Sequence, residues 1–209
     1  AGGRLTHADV RAGASGRTGE ASAGTRLDER VPIAGVRRAI AERMRRAKST
    51  AAHFTFVEEC DASQLVALRQ ELSSDAAARG VQLSFVPFII KALVQALKKY
   101  PVVNAWVDDE KNEYVLKKEY NIGLATDTDA GLMVPVVKHA DKRSILDIAA
   151  EIQNLTELAR SRKIELDDLK GGTITITSAG SIGGMLATPI LNYPEVAILG
   201  VYRIKDKPV

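Results

Sequence analysis

The segment Gly171-Gly-Thr-Ile-Thr-Ile-Thr-Ser-Ala-Gly-Ser-Ile-Gly-Gly184 constrains the fold more tightly than any other part of the chain. Thr173, Thr175 and Thr177 alternate with Ile174 and Ile176, the period-two pattern of a strand with one buried apolar face and one wet hydroxyl face. The strand then runs into Ser178, Ala179, Gly180 and Ser181, followed by Ile182 and a Gly-Gly pair. Such an end exposes hydroxyls and backbone N–H groups with few side chains in the way, which suits a developing oxyanion or a phosphate-bearing ligand. The glycine spacing is neither G-x-G-x-x-G nor G-x-x-x-x-G-K-[ST]. Pro189, Asn192 and Pro194 also stand where a phosphate-binding helix would run, so dinucleotide and P-loop readings fail. A glycine-rich turn between two core strands fits the spacing equally well.

At 209 residues with 45% hydrophobic side chains, the chain can build one domain with a core, plus a tail. A formal net charge of +3 provides no strong field for nucleic acid or a membrane surface, and neither is expected as a partner. The single cysteine, Cys60, excludes an internal disulfide, and no metal-ligand spacing is present. In the strand-like run Phe54-Thr-Phe-Val-Glu-Glu-Cys60 it reads as a small packing residue. There is no apolar run of about 18 residues. With no signal-peptide pattern either, a soluble intracellular protein is expected.

Residues 1 to 30 are poor in large apolar side chains and read mostly as a linker. The folded region is expected from Arg30-Val-Pro-Ile-Ala-Gly35. Val36, Ile40, Met44 and Ala47 then fall at helical spacing, with basic residues on the other faces. Asp61 reads as the N-cap of a helix with Leu65, Leu68 and Leu72 on its core face, ending at Gly80. Ser84 precedes a mostly apolar helix over 85–97, with Pro87 in its first turn. Ser144 and Asp147 form a capping-box pattern ahead of Ile145, Ile148, Ile152 and Leu155. Strands are expected at 54–60, 113–118, 121–126, 132–138, 173–178 and 195–203, with Asp129-Ala-Gly131 as a turn. Helices interspersed with hairpins suggest an α/β fold, a mixed sheet covered on one side.

The 171–184 segment, with Ala187-Thr-Pro-Ile-Leu-Asn-Tyr-Pro-Glu-Val-Ala-Ile-Leu-Gly200, resembles the catalytic domain of dihydrolipoamide acyltransferases, the E2 components of 2-oxoacid dehydrogenase complexes. The Arg-Arg-x-Ile-Ala-x-Arg-Met arrangement at Arg37–Met44 is similar to the opening of that domain, and Gly3–Arg11 resembles the last turn of the peripheral-subunit-binding domain that precedes it. The resemblance implies a chloramphenicol-acetyltransferase-like mixed sheet with covering helices. It implies a remnant of the binding domain at 1–11, a flexible linker at 12–29, and the catalytic domain over 30–209. It also implies transfer of an acyl group between lipoyl-lysine, carried on a domain outside this chain, and coenzyme A. Further implications are homotrimers within a larger E2 core, E1 and E3 components as partners through the binding domain, and a cytoplasmic or mitochondrial-matrix location. The acyl group stays open, with acetyl and branched-chain transferases resembled slightly more than succinyl ones.

Thioester exchange needs a base for the incoming thiol and donors for the tetrahedral oxyanion. In the family the base is the histidine of an Asp-His-Arg-x-x-Asp-Gly motif, which this sequence does not contain. The catalytic domain is therefore expected to be C-terminally incomplete and the chain by itself inactive. His7, His53 and His139 lack a carboxylate partner nearby in sequence and are not expected to act as the base. By the resemblance Thr177 is the oxyanion donor, and Ser178 and Ser181 line the coenzyme A path. Arg69, Ser84 and Asp127 match residues that contact coenzyme A. Alternatives are a coenzyme A-dependent acetyltransferase with no lipoyl partner, and a non-catalytic core or assembly protein of the same fold. Locally, Arg69 could instead pair with a carboxylate, Ser84 could cap a helix, and Asp127 could cap a turn.

Overall fold

The computed structural model describes residues 28–178 and 185–206. The chain divides into Ala1–Pro32 and Ile33–Val209. The expected remnant at 1–11 and most of the expected linker at 12–29 lie outside the described residues.

The second unit begins with helices α1 (Gly35–Thr50), α2 (Ser63–Glu71), α3 (Ser73–Ala78) and α4 (Val86–Lys99). Strands β1 (Ala105–Asp108), β2 (Glu113–Leu116), β3 (Ile122–Thr128), β4 (Gly131–Met133) and β5 (Val136–Val137) follow. Helix α5 (Ile145–Arg160) then leads to β6 (Ile174–Ser178) and β7 (Ile198–Val201).

Helix α4 forms where apolar periodicity predicts it. Pro87 occupies its first turn, where a missing N–H leaves no intrahelical bond unmade. Helix α5 starts with the predicted box: Asp147 N–H donates to Ser144 Oγ at 3.1 Å, and Ser144 N–H donates to the Asp147 carboxylate at 3.3 Å. Strands β3, β6 and β7 run parallel, while β4 and β5 lie antiparallel on the other side of β3. The parallel β3–β6 pair requires a long crossover, which α5 supplies. Ile90, Val94 and Leu97 of α4 and Ile148 and Leu155 of α5 close one core with Ile122, Leu124, Ile174 and Ile176 of the sheet.

Several expectations need correction. Segment 54–60 is not a strand. It carries no ladder among the described residues, and Phe54 and Phe56 are 88% and 75% exposed. Alternation gives a strand its side-chain pattern, but pairing makes the strand, and a local pattern says nothing about the partner. Cys60 is exposed, not a packing residue. The 132–138 strand splits into β4 and β5 around Pro135, which has no N–H to give; its carbonyl accepts from Leu124 N–H at 2.8 Å. Asp61 caps one residue early: its carboxylate accepts from Ser63 N–H at 2.8 Å and from Ser63 Oγ at 2.6 Å, while Ala62 holds the cap position. Leu68 is exposed, whereas Leu65 and Leu72 pack against a small cluster with Leu83 and Phe88. Val36 is likewise exposed, and Ile40, Met44 and Ala47 form the inner side of α1. The β1–β2 ladder was not foreseen.

The fit between β3 and β6 depends on Gly123, which stands opposite Thr175. A Cβ at Gly123 would lie 2.8 Å from both Thr175 Oγ1 and Val134 Cγ1. Gly123→Ala is expected to lower the unfolding free energy by about 1–3 kcal/mol, seen as a lower urea midpoint at unchanged slope. An unchanged midpoint would show that the strands have slack at this position.

Candidate active site at the end of strand β6

The three threonines of β6 and its approach share one face, and their environments differ in one respect that matters chemically. That face is not wet along its length, as the sequence pattern suggested: Thr173 and Thr175 are 2% and 1% exposed. Buried hydroxyls must find partners, and both do. Thr173 Oγ1 donates to Asn121 O at 3.1 Å and accepts from Asn121 N–H at 3.3 Å. Thr175 Oγ1 donates to the Glu195 carboxylate at 2.6 Å. Thr177 is half-buried, and its hydroxyl makes no hydrogen bond among the described residues.

The neighbours of Thr177 in the ladder are Ala125 on β3 and Gly200 on β7, so the row on either side of its hydroxyl carries little bulk. Tyr202 fills the place beside Gly200: its ring lies where a Gly200 side chain would begin, and its hydroxyl donates to Ala187 O at 2.6 Å. Ser178 is the last residue of β6 and is exposed. Asp127, also exposed, lies two residues beyond Ala125 on β3, at the same C-terminal end of the parallel strands as Thr177. Ser181 lies outside the described residues.

Arg69 and Ser84 are brought together elsewhere. Arg69 Nε donates to Leu83 O at 2.8 Å, and its guanidinium stands 4.8 Å from the Phe85 ring centroid. Among the described residues the arginine pairs with no carboxylate, and its terminal N–H groups make no bond. Ser84 does not cap α4, whose cap position is Phe85. It lines a cavity of about 460 Å³ together with Gln82, Ile152, Gln153 and Arg160. No hydrogen bond or ion pair among the described residues joins this pair to the strand-end group.

His139 is exposed, and His7 lies outside the described residues. His53 has both ring nitrogens occupied: Nε2 accepts from Leu191 N–H at 3.0 Å, so Nδ1 carries the proton and donates to Ala51 O at 2.9 Å. It is a pin between the 51–53 segment and the 185–196 segment.

Sequence reasoning missed Glu195. Its carboxylate accepts from Thr175 Oγ1 and, at 2.8 Å, from Asn192 Nδ2, on the same face as Thr177. The signal was present in the quoted Asn192-Tyr-Pro-Glu195, but a glutamate in a loop-like run gives no sign that it is buried.

The chain belongs to the 2-oxoacid dehydrogenases acyltransferase (catalytic domain) family, whose model matches residues 25–209. It is 45% identical over 182 residues to the dihydrolipoyllysine-residue acetyltransferase component of the pyruvate dehydrogenase complex of Bacillus subtilis (strain 168), covering 87% of this chain and 41% of that protein. Against the component of the same name in Staphylococcus aureus, identity is 49% over 181 residues, with 87% and 42% covered. The chain thus spans about two fifths of the length of these curated relatives. Among solved structures it is similar to the dihydrolipoamide acetyltransferase of Azotobacter vinelandii, whose catalytic mechanism was probed at a serine, a histidine and an asparagine. The TM-score there is 0.84 at 38% identity, over 88% of this chain and 75% of that one. The cubic core of a pyruvate dehydrogenase multienzyme complex gives the same figures, 0.84 and 38% over 88% and 75%. The mixed sheet with covering helices is accordingly the chloramphenicol-acetyltransferase-like fold.

The buried carboxyl beside the site gives a stability prediction. Burial pushes Glu195 from 4.5 up to about 7, against the opposing pull of its Thr175 and Asn192 bonds and the Arg43 charge. The folded chain therefore binds this proton more tightly than the unfolded chain. The resulting stabilisation is complete below about 4.5 and is lost as pH rises to about 7. The loss is on the order of 3 kcal/mol. Glu195→Gln, which stays neutral, should remove that slope and be more stable than the parent at about pH 8. Urea unfolding across this range decides the matter, and parallel pH profiles for the two proteins would contradict it.

Proposed function

We propose that this chain is the transacylase core of an E2 component, moving an acyl group between lipoyl-lysine and coenzyme A within a 2-oxoacid dehydrogenase complex. Family membership supports the reaction class. The names of the relatives favour an acetyl group and a pyruvate dehydrogenase complex over a branched-chain one. Likeness to a cubic core supports assembly of the parent protein into a larger shell built from trimers, with E1 and E3 engaged through the binding domain at whose end Gly3–Arg11 would stand. Among the described residues no helix is long and apolar enough to cross a membrane. The bacterial relatives favour a cytoplasmic setting.

The observation that carries the reading is the Thr177 hydroxyl, which has no partner among the described residues, at the end of an otherwise satisfied strand face. When one thiol attacks the thioester carbonyl, charge gathers on the carbonyl oxygen, and a donor held in place beforehand stabilises it with no reorganisation. Thr177 Oγ1 is that donor in this reading, with Ala125 leaving room for the oxyanion on the β3 side. Ser178 and Ser181 line the coenzyme A path, Asp127 accepts from pantetheine amides or adenine, and Ser84 contacts the cofactor. Arg69, steadied by Leu83 O and Phe85, offers a fixed cation for phosphate. The base is the histidine of the family's Asp-His-Arg-x-x-Asp-Gly motif, outside this sequence.

The test uses a longer protein that carries this segment together with that motif. Thr177→Val should lower kcat by about 10²- to 10³-fold with little change in KM, because the bond strengthens only at the transition state. Thr177→Ser should keep most of the activity. A valine variant with kcat near that of the parent would remove Thr177 from the mechanism.

A further inference from the structure

Glu195 takes no part in the chemistry proposed above, yet it is 3% exposed and bonded to the strand that carries Thr177, on the same face. Its backbone is fixed on both sides by β1. Val107 N–H donates to Pro194 O at 2.9 Å, and Val196 N–H donates to Ala105 O at 3.2 Å. The approach to β6 is close: a Cβ on Gly172 would stand 3.1 Å from Glu195 Oε1. From this rigid base the carboxylate reaches Thr175, one pleat repeat before Thr177 on the same face.

We propose that Glu195 is a positioning residue for the Thr177 hydroxyl, and that its protonation state sets, through Thr175, where that hydroxyl stands. The proposal rests on the reading of Thr177 as oxyanion donor. The ionised carboxylate accepts from both Thr175 Oγ1 and Asn192 Nδ2. Once protonated, the carboxyl no longer makes a charge-assisted bond, and the 2.6 Å contact relaxes toward the longer distance of a neutral O–H···O bond. Threonine is stiff at χ1, so with Thr175 1% exposed a displacement of its Oγ1 passes into the strand backbone. Burial holds the carboxyl near 7, so both forms exist at neutral pH. The charge that acts on Glu195 is Arg43 of α1. The 192–194 turn and β6 offer amide and hydroxyl groups, and β1 offers backbone and Trp106.

An NMR titration of the 209-residue chain tests this, following the Glu195 carboxyl carbon and the amide and methyl signals of Thr177 from about pH 5.5 to 8.5, a range that spans the two forms. In the parent, Thr177 should move with the midpoint of Glu195. In Glu195→Gln the Thr177 signals should stay flat. In Thr175→Val, Glu195 should still titrate but Thr177 should no longer follow. Thr177 signals that stay still while Glu195 titrates, or that move alike in the Gln variant, overturn the proposal. The readout is independent of activity. A Thr177→Val variant that keeps its kcat would remove the catalytic meaning of the position and leave the titration intact. A flat titration beside a disabled Thr177→Val would remove the positioning role alone.

Discussion

A strand buried on both faces must satisfy every polar group it carries, and β6 is such a strand: Ile174 and Ile176 meet the helices on one side, and Thr173 and Thr175 are closed over on the other. A hydroxyl left unpaired there would cost on the order of 1–3 kcal/mol. The neighbouring structure is arranged around that requirement. Asn121 at the head of β3 pairs with Thr173 through both its N–H and its carbonyl, and its side chain also holds Gly171 O and His139 N–H. Gly123 leaves the opening that Thr175 needs, and Glu195 is brought in to take its hydrogen. Among the described residues the row reaches solvent only at Thr177, so the one hydroxyl of the row with no partner there is also the one that a ligand can reach.

The 185–196 segment makes this possible, and it is held at two points. His53 fixes Leu191 through a bond that requires its neutral form, and the 194–196 stretch is laddered to β1. Between them Asn192 and Glu195 reach back to β6. A rigid backing of this kind is what an oxyanion donor needs, since a donor that must reorganise as charge develops forfeits much of its effect.

Much of this could be read from the residues. The Ser144–Asp147 box, Pro87 in the first turn and the apolar run after it are local signals, and local physics honours them. The Thr/Ile alternation located β6 and its direction of burial on the isoleucine side, and the resemblance pointed to Thr177. What escaped depends on distant partners. Segment 54–60 has a strand's pattern without a strand to join, and β1 is a strand because of its pairing with β2, not its composition. Glu195 is charged and lies in a polar, proline-bearing run, so only the folded chain reveals that it is buried against Thr175. The same limit applies to the threonine face, whose closure is made by residues some twenty positions away or more in sequence.

The central claim is that, among the described residues, the hydroxyl face of β6 is satisfied at Thr173 and Thr175 and unpaired at Thr177. Exchange of the threonine hydroxyl protons with solvent reads this directly. In an NMR spectrum of the folded chain, the Thr173 and Thr175 hydroxyl protons should be slow enough to observe, with contacts to Asn121 and Glu195. The Thr177 hydroxyl should exchange too fast to see. A Thr177 hydroxyl proton as protected as the other two would mean that it is already bonded within the fold, and the account of the site would fail.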